Sequence, residues 1–236
     1  MDFQIKIEKF KPKNEFYGLF TEQIPKLVAL EKRPMSISEI MIKRIEADMT
    51  GSVGVKNYWH NNFFDSGDAF LYHPSGDIKV VPTFKYFLKV NENTKLKEGF
   101  LPLGRSVNES IDKYNSIEGV VFTKGELEKF TKKDVVLMYS SKEDIINNPV
   151  WNAVVSDKDL LKDYVDMAHK NIRSIFKQDN LMDIVIGEPG KFAGAKNLSL
   201  KNIVLFGNSN LRADYDLNDQ DGVGRFMGVD LDKSYF

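Results

Sequence analysis

The sequence predicts an α+β fold, with a mixed, mainly antiparallel sheet packed against a long amphipathic helix at about 156–178 and against shorter helices. Three observations predict it. Leu161, Tyr164, Val165, Ala168, Ile172, Ile175 and Phe176 recur at helical spacing, at about 100° per residue, and leave Lys162, Asp163, Asp166, Lys170, Arg173 and Lys177 on the opposite side. Helical patterns lie mostly in the first and middle parts, whereas the last third reads as short apolar runs separated by Gly and Asn. The chain lacks the regular alternation of strand and helix that a doubly wound sheet requires.

Taken in order, Phe3, Ile5 and Ile7 alternate with polar residues as in a half-buried strand. Residues 17–31 suit a short helix interrupted near Pro25, and Ser36 with Glu39 forms a capping box that opens a helix to about Met49. Gly51, Gly54, Gly67 and Gly76 among aromatics and Asn make 50–77 read as loops and short strands. Residues 69–73 and 78–90 read as strands around a turn at 74–77, with Pro82 marking an edge or bulge. The polar stretch 91–99 is the one internal boundary candidate in a chain otherwise read as a single globular domain, 1–236.

Beyond it, strand 119–122, a helix capped by Thr123 and Glu126, and strand 135–139 resemble a compact β-α-β unit, with a connection short enough to leave an antiparallel placement open. Ser141 to Asn147 forms a short helix broken by Asn148 and Pro149, and Trp151 docks the next segment on the core. Ser156 is the expected cap of the long helix, and Asp166 with Lys170 its surface pair. Strands are then expected at 183–186, 198–206, 211–215 and 223–229.

Composition narrows the function classes. An apolar fraction of 42% and a charged fraction of 28% describe an ordinary soluble chain. A net charge of -1 argues against dedicated nucleic-acid binding. The absence of cysteine excludes disulfides, thiolate nucleophiles and Cys-ligated metals. No run approaches the ~20 apolar residues of a membrane span, and the first residues lack a signal-peptide core, so the expected location is soluble, in the cytoplasm or in an intracellularly assembled particle.

Two constellations offer metal chemistry. His60, Asp65, Asp68 and His73 fall within one short span, and imidazole with carboxylate suits a divalent metal that activates water. Asp214, Asp216 and Asn218 supply hard oxygen ligands for a cation, although the EF-hand positions for Gly and Glu are not met. The stretch 187–196, GEPGKFAGAK, fails as a phosphate loop because Phe192 follows the lysine where Ser or Thr is needed. No nucleophile elbow, zinc-binding HExxH or dinucleotide fingerprint occurs.

Residues 1–34 hold seven basic and five acidic side chains and residues 212–236 three and six, so the ends carry complementary charge. With many aromatics and no catalytic motif, the expectation is a non-enzymatic assembly or interaction protein, a structural subunit of a larger oligomer or virion-like particle that associates with itself or with other protein subunits. No cofactor is expected. The alternative is a metal-dependent hydrolase using His60, Asp65, Asp68 and His73 with a divalent ion.

Overall fold

A computed structural model describes residues 14–91, 93–96, 100–130, 141–176, 182, 184–185, 199–206, 210–212 and 224–231. The elements run β1 (Glu15–Gly18), α1 (Phe20–Ala29), β2 (Lys32–Pro34), α2 (Ile37–Thr50), α3 (Val53–Asn61), β3 (Phe64–Tyr72), β4 (Ile78–Val81), a 3-10 turn (Lys85–Lys89), β5 (Leu101–Pro102), α4 (Val107–Ser116), β6 (Val120–Phe122), α5 (Lys124–Phe130), α6 (Lys142–Ile146), α7 (Pro149–Val154), α8 (Lys158–Phe176), β7 (Ile184–Val185), β8 (Ser199–Phe206), β9 (Asn210–Arg212) and β10 (Gly224–Asp230). The fold is α+β.

These strands form one sheet whose main path is β1-β10-β3-β8-β9-β7. Among the described residues its pairings are antiparallel except for β10 with β3 and β7 with β9. β3 is its hub. It pairs with β8 along its length, with β10 at Asp65 and with β4 over Ala69 to Tyr72. Strands from both sides of 91–99 join this sheet, since β4 pairs with β6 and β8 with β3.

Alternation along β3 divides the interior into two clusters. Phe64, Phe70 and Tyr72 point into one core with α2, α3, α7 and α8, while Ala69 and Leu71 enter a second with α1, Phe84, Phe87 and Tyr114 of α4. Covered on both faces, all nine residues of β3 are buried. This explains a strand with no face open to solvent.

Local chemistry shapes the helices. Ser36 and Glu39 close the expected capping box on α2, and Arg33 adds a two-pronged pair to Glu39 at 2.6 and 2.7 Å. Ser36→Ala is expected to lower stability by about 1 kcal/mol, measured by urea unfolding. α1 runs through Pro25 rather than breaking there; proline removes one backbone bond, and burial of Phe20, Ile24 and Leu27 outweighs it. α3 replaces the expected loop, because burying Tyr58 and Trp59 overrides the weak helix preference of its glycine-containing sequence.

β4 ends at Val81, and Pro82 leads into Thr83 and the 3-10 turn instead of a longer strand. Asn148 does not merely break a helix: its side chain caps α7, with Pro149 in the first turn where no N–H is needed. α8 begins one residue later than expected, and Asp157 rather than Ser156 accepts the amides of Asp159 and Leu160. Asp166 pairs with Lys142 of α6 rather than with Lys170, tying two helices together. Leu161, Tyr164, Val165 and Ala168 form its buried stripe, as the periodicity predicted. The expected strands at 3–7 and 135–139 lie outside the described residues, as does the loop 187–196. No helix among the described residues is long and apolar enough to cross a membrane.

Candidate functional site

The polar run Asp65-Ser66-Gly67-Asp68 interrupts the apolar sequence of β3, and the sheet bulges there. The register against β8 advances four residues along β3, from Asp65 to Ala69, but two along β8, from Val204 to Asn202. The freed backbone finds new partners. Gly67 donates its N–H to the Met35 carbonyl at 2.7 Å and accepts from the Phe84 N–H at 2.7 Å. A Cβ at Gly67 would lie 3.0 Å from the Pro34 carbonyl oxygen, so close approach of the chain favours glycine.

The side chains around Gly67 also grip backbone. Asp68 Oδ2 accepts the N–H of Ile37 and Oδ1 that of Thr83, both at 2.6 Å. Ile37 is the first residue of α2, whose N–H groups have no partner inside the helix and whose positive end favours a carboxylate. Ser66 donates its hydroxyl to the Ile203 carbonyl at 2.6 Å, and Asp65 Oδ2 accepts the Arg225 N–H at 2.8 Å. One bulge thereby joins α2, the turn after β4, β8 and β10.

The electrostatics follow from burial. Complete burial pushes the Asp68 carboxyl up to about 6, against the two amides that pull it down; Glu39 nearby also pushes up, and Arg33 pulls down. Glu39 is itself part-buried, yet the bonds from Arg33 and Ser36 overcome desolvation and hold it below its ordinary value. Thr83 adopts φ 51°, a left-handed conformation costly for a β-branched residue. Because Asp68 holds this residue by its N–H, Thr83→Gly is expected to keep the contact and raise stability by about 0.5–1 kcal/mol through relief of strain, readable as a higher Tm.

The four residues proposed as one metal cluster do not converge. His60 lies in the last turn of α3, with Nε2 3.9 Å from Asp48 Oδ1 of α2, which also accepts from Asn171 at 3.4 Å. Asp65 and Asp68 are engaged by the amides of different segments. His73 sits in the β3–β4 turn. Among the described residues no three His, Asp or Glu side chains are gathered as metal ligands. The separation has a physical reason: carboxylates in a bulged central strand meet unpaired backbone N–H groups before they meet an ion. Asp214, Asp216 and Asn218 lie outside the described residues.

The turn brings His73 together with Ser75 and Asp77, two residues that the sequence reading did not single out. His73 Nδ1 is 2.7 Å from Ser75 Oγ, which donates to Asp77 Oδ2 at 2.7 Å. A hydrolytic triad needs the carboxylate on the imidazole, where it orients the base. Here it holds the serine hydroxyl instead, and Asp77 Oδ1 accepts the Lys124 N–H. The network fastens the turn to α5.

Three cations were also missed, because their partners are distant in sequence. Arg44, fully buried, donates to the Tyr164 hydroxyl at 2.7 Å and to the Asn62 carbonyl at 2.9 Å. Lys79 donates to the carbonyls of Tyr114 and Ile117 at the end of α4 and lies 4.1 Å from the Tyr114 ring centre; burial holds its pKa below the ordinary lysine value. Arg225 pairs with Glu15 at 3.1 Å and stands 5.4 and 5.5 Å from the ring centres of Tyr17 and Tyr58. Tyr17 is 57% exposed, which makes this the described cluster with an aromatic ring open to solvent. Burial pushes the Tyr58 hydroxyl pKa upward.

No family model matches the chain. No curated protein matches it either. One solved structure, described as “Accommodation of massive sequence variation in Nanoarchaeota by the C-type lectin fold”, is similar with a TM-score of 0.58 and 13% identity, covering 94% of this chain and 99% of its own. At that identity the likeness is one of fold alone, and the fold this chain resembles is the C-type lectin fold.

Proposed function

We propose that this protein is a non-enzymatic binding and assembly protein, in which the framework is fixed from within and surface side chains are left to make contacts with other subunits. One observation carries the reading: several polar side chains of the described interior are directed at backbone atoms. Asp65, Ser66, Asp68, Lys79 and Arg44 each bond main-chain N–H or carbonyl groups rather than converging on a reaction centre.

Bonds of this kind ask nothing of the partner's side chain. Arg225 and Thr83 are held by their N–H groups, so their side chains can change without loss of the staple. The neighbouring structure is described in terms of massive sequence variation within the same fold, and side-chain-to-backbone stapling gives this chain a physical route to a similar tolerance. Tyr17, exposed beside the Arg225 guanidinium, is of a residue type enriched where proteins meet. We place such a protein in solution or in an intracellular particle, with protein partners.

The test is the native mass of the purified chain by light scattering over a concentration series at low and high salt. A defined oligomer, or a stoichiometric complex with a co-purified subunit, is expected. A chain that stays monomeric at high concentration and brings no partner would overturn the reading, and stoichiometric bound metal would then favour a hydrolase. Metal content unchanged in folded His60→Ala and His73→Ala variants would then exclude those ligands.

A further inference from the structure

We draw no further inference here: the strongest candidate, the exposed apolar strip of Ile42 and Met49 on the outer face of α2 with Val53 at the start of α3, carries nothing because nothing in the structure shows what covers it.

Discussion

Replacing Asp68 with alanine is expected to destabilise the protein by about 3–5 kcal/mol, because it strands two buried backbone donors at once. The carboxylate is wholly buried and each oxygen takes one amide, from Ile37 and from Thr83. Alanine leaves both N–H groups facing a space that the side chain filled, and α2 loses the acceptor at its first residue. Asp68→Asn is the sharper comparison. Its carbonyl can still accept one amide, but its NH2 group faces the other donor, so an intermediate loss of about 2 kcal/mol is expected. Urea unfolding of the three proteins measures the order wild type, Asn, Ala. A cost below about 1 kcal/mol for alanine would mean that the two amides find other partners and that Asp68 does not hold the bulge to α2.

The pH dependence of the same residue has a definite sign. Its folded-state pKa is raised from 3.8 to about 6, so the folded chain binds this proton more tightly than the unfolded chain does. The contribution of Asp68 to stability is therefore greatest below about 4 and falls as pH rises through 6, by roughly 3 kcal/mol at 1.36 kcal/mol per unit. The stability difference between wild type and Asp68→Asn should widen on going from pH 7 to pH 5. Asp77, whose carboxyl is held low chiefly by the Ser75 hydroxyl, titrates in both proteins and drops out of the comparison. A narrowing difference, with a carboxyl carbon resonance of Asp68 titrating below 4, would show that the two amides outweigh burial.

The parts of the fold written in local pattern were legible. Seven apolar positions at helical spacing define α8, and Ser36 with Glu39 marks the start of α2 three residues apart. The bulge was not legible, for a reason that sequence distance makes plain. Asp68 finds its donors 31 and 15 residues away, and Asp65 finds Arg225 160 residues away. A run of Asp, Ser, Gly and Asp between two histidines gives a metal pattern when its partners are invisible. The same holds for Lys79, which reads as a surface lysine in a strand until α4 brings two carbonyls to it. α3 was hidden differently. Its helix is imposed by the burial of Tyr58 and Trp59 against β3, a tertiary cause that propensity does not carry.

Trp151 shows how a single side chain couples the helical layer to the sheet. It is 1% exposed in the core shared by α2, α7, α8 and the sheet, and its indole Nε1 donates to the Met182 carbonyl at 3.1 Å, just before β7. α7 has only six residues, too few to persist without tertiary contact, so its position depends on this ring and on Val150, Ala153 and Val154 beside it. Trp151→Ala is expected to cost about 3–5 kcal/mol, from lost burial and the cavity left behind. Trp151→Phe separates the two contributions: it keeps most of the ring but strands the Met182 carbonyl, and about 1–2 kcal/mol is expected. Urea unfolding of both variants makes the comparison. If alanine and phenylalanine cost the same, the hydrogen bond to Met182 is the essential element; if phenylalanine costs nothing, packing alone seats α7. A larger loss for alanine than for phenylalanine, with both proteins still folding cooperatively, is the result that the geometry requires.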